Sequence, residues 1–265
     1  MKKETKADRV IDITRSINSP VKAVWKALTE AKELERWFPL KANVTGEEIQ
    51  LSWGSDVNWH MEIEEVKEEE YLRLGYDESH HRIVSAVPRR LAVEFFLHGK
   101  DDVTTLRIVH KGFGGEESWD EMYDGVRRGW GTESLSLKHY LEHHAGKDRI
   151  VALASIQTDG VSYQELWDKL IGGHLRINGN HYAWDTPVDE TYEGRLMFYN
   201  EPQDLLGTMQ DFHNSLFRLS IERFAPGGDI YIWAWIGAYG VPEKEMKELE
   251  KQWQEKLNLL YHVQH

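Results

Sequence analysis

Two histidines of this 265-residue chain have a spacing that could serve metal binding. His139 and His143 are four positions apart in a helical pattern, so both imidazoles share one helix face, as zinc ligation requires. No glutamate of the HExxH kind lies between them, and no third ligand is evident. We therefore interpret the pair as a solvated helix end, with cations near the negative end of the helix dipole, and predict no metal site and no cofactor.

Histidines and glutamates on predicted strands are candidates for acid–base catalysis. His60, His98 and His110 could in principle act as general bases. The first two fall opposite the strongest apolar rows, which is typical of surface residues. Glu62 and Glu94 share those opposite faces, and we expect cross-strand partners there rather than a catalytic carboxylate pair. The sequence therefore predicts no catalytic residue.

Aromatic and methionine side chains form the most informative set. Each one is, taken singly, a better core residue than a ligand contact, but together they are typical of an apolar cavity between a sheet and a long helix. Gly125 and Gly129 lie beside them on the same helix and each costs about 1 kcal/mol relative to alanine, which indicates space for a ligand or a neighbouring strand. The predicted ligand-binding residues are Trp53, Trp59, Met61, Phe95, Trp119, Met122, Tyr123 and Val126.

The elements that must position these side chains follow from the hydrophobic periodicity. Alternation over residues 11–17 predicts a strand, and Ser19 with Pro20 then marks the start of an amphipathic helix carrying Trp25. A second short helix ends before Pro39. Residues 41–110 alternate between turn signals, as in an antiparallel meander. A long helix is predicted over about residues 116–144.

The same order of elements recurs in the second half of the chain. "RIVALASIQ" leads into a helix carrying Trp167, and "SLFRLSIERF" and "DIYIWAWIGAY" read as a hairpin. A helix over residues 242–261 closes the chain. The polar segment "HHAGKDR" predicts a boundary, so we expect domains over residues 1–145 and 146–265. The predicted fold class is α+β, with two helix-grip domains, each a curved antiparallel sheet wrapped around a long C-terminal helix.

Composition excludes several classes of partner. The formal net charge is −13, which argues against nucleic acid and anionic membranes, because both select basic surfaces. The chain has no cysteine, which excludes disulfides and thiolate chemistry. Neither a signal peptide nor an apolar run of about 20 residues is evident, so we expect a cytoplasmic protein.

A family resemblance rests on three stretches of the first half. They are "ITRSINSPVKAVWKALTEAKELERWF", "TTLRIVHKGF", and a helix containing "GW" followed by leucines and "HYLEHH". Residues 9–144 resemble the START-like (SRPBCC) superfamily, in the branch named after the activator homologue of the heat-shock-protein-90 ATPase. The second half resembles the same fold through its opening, its hairpin and its closing "YGVPEKEMKELEKQW". The superfamily includes lipid and polyketide binders, cyclases and co-chaperone domains, so the resemblance implies the fold but not one function.

Three functions follow as hypotheses. The leading one is a non-enzymatic protein that holds a small apolar or aromatic molecule between sheet and long helix. The alternatives are a co-chaperone-like module with a chaperone partner, and a cyclase or hydrolase using the same cavity. We expect the first domain to hold the pocket and the second to be filled, with Tyr231, Trp233 and Trp235 packed beneath its closing helix. Trp25 and Trp167 are expected to be structural anchors that contact no ligand.

Overall fold

The computed structural model describes residues 8–54, 57–77, 90–223 and 227–261. The chain divides into two compact units, Met1–Gly146 and Lys147–His265. Among the described helices, none is both long enough and apolar enough to cross a membrane.

The described residues of the first domain form seven strands and three α-helices. Its strands are β1 (Arg9–Ile17), β2 (Lys41–Val44), β3 (Glu48–Ser52), β4 (Asn58–Lys67), β5 (Tyr71–Asp77), β6 (Arg90–Lys100) and β7 (Val103–Phe113). Its helices are α1 (Val21–Thr29), α2 (Ala31–Glu35) and α3 (Asp120–His139), with a 3-10 turn at Glu117–Trp119 before α3 and a π-helical turn at Tyr140–His144 after it.

The seven strands form one antiparallel sheet in the order β1-β7-β6-β5-β4-β3-β2. A glycine is required where β7 turns toward α3. Gly112 has φ +103°, and a Cβ there would lie 2.5 Å from the Arg90 carbonyl oxygen. Only glycine adopts this backbone conformation without strain and permits the close approach of β6.

The long helix α3 and the turn that follows it protect the edge strand β1. The Lys138 ammonium donates to the Ser16 carbonyl, and the Glu142 carboxylate accepts from the Asn18 amide at 2.7 Å. The Tyr123 hydroxyl donates to the Val10 carbonyl at 3.2 Å. These side chains satisfy backbone groups that an edge strand would otherwise offer to another chain.

The second domain repeats the plan, with two α-helices in its described residues. Its strands are β8 (Arg149–Thr158), β9 (Leu175–Asn178), β10 (His181–Asp185), β11 (Thr191–Asn200), β12 (Asp204–Met209), β13 (Ser215–Arg223) and β14 (Ile230–Tyr239). Its helices are α4 (Tyr163–Leu170) and α5 (Glu243–Tyr261). The sheet order, β8-β14-β13-β12-β11-β10-β9, matches that of the first domain element by element.

The closing helix α5 protects its edge strand by the same means. The Glu250 carboxylate accepts from the Leu153 amide at 3.0 Å, and the Gln254 side chain bonds both the amide and the carbonyl of Ser155. Two antiparallel seven-stranded sheets, each closed by a long helix, confirm the predicted pair of helix-grip domains.

One expected packing arrangement is wrong. Tyr231, Trp233 and Trp235 lie on the half-exposed face of β14, whereas Ile232 and Ala234 belong to the buried face that packs in the core with α5. Both rows of this strand are apolar, and a strand's two faces alternate residue by residue, so composition did not identify the inner row.

The interior of the second domain beneath α5 is filled by other aromatic residues, but an open depression of about 350 Å³ lies beside this helix, so the expectation of a filled second domain holds only for its interior. Trp184, Tyr192, Phe217 and Trp253 form a buried cluster there, with ring centroids 5.1 to 6.2 Å apart. The Trp253 indole donates to the Tyr192 hydroxyl at 2.9 Å, whereas the buried Trp184 indole nitrogen has no hydrogen-bond partner among the described residues.

Candidate ligand-binding site

An apolar pocket lies in the first domain between the sheet, the α1–α2 region and α3. Its volume is about 20 Å³, so the surrounding side chains nearly fill it. The lining residues are Leu28, Leu34, Trp37, Phe38, Ile49, Leu51, Trp59, Met61, Leu74, Val93, Phe95 and Trp130.

The β3–β4 hairpin forms the outer wall of this pocket. The Trp53 amide donates to the Val57 carbonyl at 2.9 Å, and Trp59 pairs with Leu51 in the ladder. This geometry brings the Trp53 and Trp59 rings to a centroid separation of 5.3 Å. Both rings are half-buried, so one side of this wall faces solvent.

The segment after α2 supplies the opposite wall. The Phe38 amide donates back to the Leu34 carbonyl at 2.9 Å, which turns Phe38 toward the hairpin. Its ring lies 5.0 Å from Trp53 and 5.7 Å from Trp130, measured between centroids. Trp37 stacks on Phe38, and its indole donates to the Ala27 carbonyl at 2.8 Å. The wall is therefore tied to α1.

A buried polar triad lies behind the aromatic wall that Trp53 and Trp59 form. The Trp130 indole nitrogen lies 2.9 Å from Nδ1 of His110, and Nε2 of His110 lies 2.8 Å from the Tyr76 hydroxyl. An indole nitrogen can only donate, so Nδ1 is the acceptor and the ring proton is on Nε2, which donates to Tyr76. Burial raises the pKa of Tyr76 well above its ordinary value. The triad therefore holds a neutral imidazole in one tautomer.

The predicted ligand-binding residues occupy two neighbouring regions. Trp59, Met61 and Phe95 line the pocket, and Trp53 contacts it through Phe38 and Trp59. The other four predicted residues, which do not line it, are Trp119, Met122, Tyr123 and Val126.

Phe113 anchors part of the second region. Trp119 is buried against Phe113 at 6.3 Å, and the Tyr123 ring lies 5.4 Å from Phe113 beneath the Arg9 guanidinium. Met122 and Val126 are half-buried on α3. The ring of His110 lies 4.8 Å from Phe113 and 6.3 Å from Trp130, so it connects the two regions.

The two glycines of α3 have open space beside them. A Cβ added at Gly125 or at Gly129 would meet no atom within 4 Å, so no strand packs closely against either position. Neither glycine lines the pocket, to which α3 contributes Trp130.

Sequence reasoning missed Trp37, Phe38 and Trp130 as pocket residues. The stripe of α3 that runs from Trp119 through Val126 continues to Trp130, so its position on the inner face was recognisable. The positions of Trp37 and Phe38 depend on the turn after α2, which periodicity does not specify.

The strand residues considered for catalysis lie outside the pocket lining. His98 is exposed, and His60 bonds to Glu48 across the β3–β4 ladder. The Glu94 carboxylate accepts hydrogen bonds from Tyr71 and Arg73, each at 2.8 Å.

Glu62 pairs with Arg90, so both predicted carboxylates have cross-strand partners. On the helix, His139 is buried rather than solvated as expected, and His143 is exposed. Within the described ranges, no group of three or more histidine, cysteine or carboxylate side chains is arranged to hold a metal ion.

The family model described as activator of Hsp90 ATPase homolog 1-like protein matches residues 18–142. A search of curated proteins gave no match to the chain. Protein MLL2253 from Mesorhizobium loti is 25% identical over 51% of this chain and 98% of its own, with a TM-score of 0.44.

Two other solved structures cover nearly the whole chain. DynU16, from the dynemicin biosynthetic locus, is 17% identical over 96% of this chain and 97% of its own, with a TM-score of 0.43. The di-domain ARO/CYC protein BexL, from the BE-7585A biosynthetic pathway, is 12% identical over 97% and 100%, with a TM-score of 0.44.

Proposed function

We propose that this chain, which belongs through its first domain to the SRPBCC-type family of activator of Hsp90 ATPase homolog 1-like proteins, binds one small, flat aromatic molecule in the pocket of that domain. The observation that carries the proposal is the aromatic wall. Trp53 and Trp59 remain half-buried beside a partly open apolar space. Large aromatic rings that close a pocket from the solvent side can move without breaking the core behind them.

The size of the pocket determines how a ligand enters. A volume of about 20 Å³ holds roughly one water molecule, so an aromatic ligand must displace side chains. The rings of Trp53 and Trp59 are half-buried, so moving them exposes less apolar surface than moving the fully buried rings behind them. Phe38, Phe95 and Trp130 are buried behind them and would form the bound ligand's apolar contacts.

The chemistry of the lining favours binding over catalysis. The lining side chains carry no carboxylate, imidazole or hydroxyl group, and their polar hydrogens belong to indole nitrogens. Acid–base catalysis needs a titratable group within hydrogen-bond reach of the reacting atom. The His110–Tyr76 pair lies behind Trp59 and Trp130 and bonds within the triad.

Isothermal titration of the full chain with 2-naphthol tests the proposal directly. We expect saturable binding of one molecule per chain, with quenching of tryptophan fluorescence as the Trp53 and Trp59 rings change environment. A wild-type chain that shows no saturable binding of 2-naphthol up to millimolar concentration overturns the proposal.

Two leucines on one strand provide a matched pair of variants. Leu74 lines the pocket, whereas Leu72 is buried on the same inward face of β5 outside the lining. Leu74→Phe places a ring into the ligand space and should weaken 2-naphthol binding at least about tenfold. Leu72→Phe adds the same volume outside the pocket lining. Each of the two variants should cost about 1–3 kcal/mol of stability. Equal loss of binding in both folded variants would contradict the assignment of the pocket.

The family description motivates one alternative partner, a heat-shock ATPase. Ligand binding and activation of the ATPase can be measured separately. A chain that accelerates ATP hydrolysis by Hsp90 and binds no 2-naphthol would replace the ligand-binding proposal with the co-chaperone alternative.

A further inference from the structure

A second, larger depression lies in the C-terminal domain. It has a volume of about 350 Å³ and is open to solvent between β11, the β12–β13 turn and the first half of α5. Its apolar lining consists of Tyr192, Met209, Phe212 and Leu249. We call this depression the α5 groove. Its volume lies within the range of about 300–1,000 Å³ that small-molecule sites occupy.

Five carboxylates surround the apolar lining of the α5 groove. They are Glu190, Glu193, Asp211, Glu245 and Glu248, all of them exposed. The lining residues include no lysine, arginine or histidine. In the part of the chain that the structure describes, none of these five side chains forms an ion pair. The groove is therefore an apolar surface surrounded by carboxylates, one of which, Glu193, also interacts electrostatically with Arg176.

The charged residues of α5 that line the groove are all acidic. Glu245, Glu248, Leu249 and Gln252 are spaced three and four apart, so they share the face that lines the groove. Lys244, Lys247 and Lys251 form a separate row that does not line it. Solubility alone would be served equally well by a mixture of acidic and basic side chains on this face.

The helix dipole explains only part of this pattern. Glu243 and Glu245 in the first turn of α5 interact favourably with its positive end. Glu248 lies beyond the first turn, and Glu190, Glu193 and Asp211 come from the sheet side. Four carboxylates therefore remain after the dipole has been taken into account.

Phe212 gives the groove an aromatic face beside these carboxylates. Its ring is half-buried, held in the β12–β13 turn by a hydrogen bond from its amide to the Met209 carbonyl at 3.1 Å. A cation near an aromatic face is attracted by the ring quadrupole, and neighbouring carboxylates add to that attraction.

We propose that the α5 groove is a second binding site, for a small organic cation that carries an aromatic or aliphatic body. The apolar body packs against Phe212, Met209 and Leu249. The ammonium or guanidinium group lies among the carboxylates from β11 and α5. The site differs in ligand charge from the aromatic pocket of the first domain.

The test uses three ligands of similar shape with the full chain. Benzyltrimethylammonium is the cation, neopentylbenzene is its neutral carbon isostere, and phenylmethanesulfonate is an anion. Ligand-observed NMR at low salt should detect saturable binding of the cation and weaker binding of the other two. Raising the salt concentration should weaken the cation's affinity, because partly exposed ion pairs are screened.

Two double variants separate the groove from the general negative charge. Glu193→Gln with Glu248→Gln removes one carboxylate from each wall and should weaken benzyltrimethylammonium binding at least about tenfold. Glu243→Gln with Glu255→Gln removes the same charge from α5 outside the lining and should change binding less than about twofold. Melting temperatures verify that both are folded.

Three outcomes overturn the proposal. They are the absence of saturable cation binding, equal affinity for neopentylbenzene, and equal losses in the two double variants. The last would indicate attraction to the overall charge of −13 rather than to the groove. Binding of 2-naphthol should be unaffected by either double variant, so the two sites fail or succeed independently.

Discussion

The indole of Trp130 donates a hydrogen bond to Nδ1 of His110 at 2.9 Å, and both side chains are buried. This bond joins α3 to β7 across the interior of the first domain. Because Nδ1 accepts, the imidazole is neutral and donates from Nε2 to the Tyr76 hydroxyl. The relationship is structural, since the hydrogen bonds within the triad join side chains of α3, β7 and β5.

Replacing His110 tests how much this buried triad contributes. His110→Phe preserves an aromatic ring but removes the partner of two buried polar groups, which should cost roughly 2–4 kcal/mol. Urea denaturation of the first domain measures the loss. Trp130→Phe in the same background should recover part of it, because one orphaned donor is then gone. A strictly additive double variant would contradict the proposed coupling.

Glu94 predicts a pH dependence of stability. Burial acts to raise its pKa, but hydrogen bonds from Lys111, Tyr71 and Arg73 outweigh burial and hold the pKa below its ordinary value. A depressed pKa stabilises the fold above the unfolded-state pKa, and that stability is lost as pH falls through the folded-state pKa.

Glu94→Gln measures this contribution. We expect a loss of roughly 1–3 kcal/mol at pH 7 and a progressively smaller loss as pH falls below the ordinary glutamate range and the wild-type carboxylate becomes protonated. Glu65→Gln is the control, because Glu65 is exposed on β4, two strands from β6 in the same sheet, and forms an ion pair with exposed Lys67. A Glu94→Gln penalty that does not shrink on acidification would refute the charge-based explanation.

Two glycines of the first domain should respond in opposite directions to alanine. At Gly112 a Cβ meets the Arg90 carbonyl at 2.5 Å with φ +103°, so Gly112→Ala should destabilise by more than about 1 kcal/mol. At Gly125 a Cβ meets nothing, and alanine is the better helix former by about 1 kcal/mol. Thermal denaturation should therefore show a lower melting temperature for the first variant and a higher one for the second. A destabilised Gly125→Ala would mean that the open space is occupied in solution.

Sequence periodicity predicted the elements better than their inner faces. On β7, Leu106 and Ile108 face the core, and His110 continues the same row, so its burial followed from the alternation. On β14 the rows containing Trp233 and Ile232 are both apolar, and a period of two cannot select between them.

The pocket depends on tertiary contacts that no local pattern contains. Met61 and Phe95 were recognisable as inward strand residues, and both line the pocket. Phe38 reaches it through a turn after α2. The near-complete filling of the pocket depends on side-chain volumes in three dimensions, which periodicity along the chain does not supply.

The two tryptophans of the opening helices provide the last prediction. Trp25 on α1 is 9% exposed and Trp167 on α4 is 2% exposed, and Trp25 does not line the pocket. Each alanine variant should cost about 3–5 kcal/mol through lost burial and a residual cavity. Trp235→Ala is the matched control, because Trp235 is half-exposed on the outer face of β14, and its loss should be clearly smaller.

Calorimetry of the full chain distinguishes the two losses of stability, because each alanine variant should lower the melting temperature of the domain that contains it. Below its melting temperature, Trp25→Ala should keep 2-naphthol affinity within about twofold of wild type, since the aromatic wall lies elsewhere. A Trp25→Ala chain with an unchanged melting temperature and no 2-naphthol binding would reverse the assignment and place Trp25 in the ligand site.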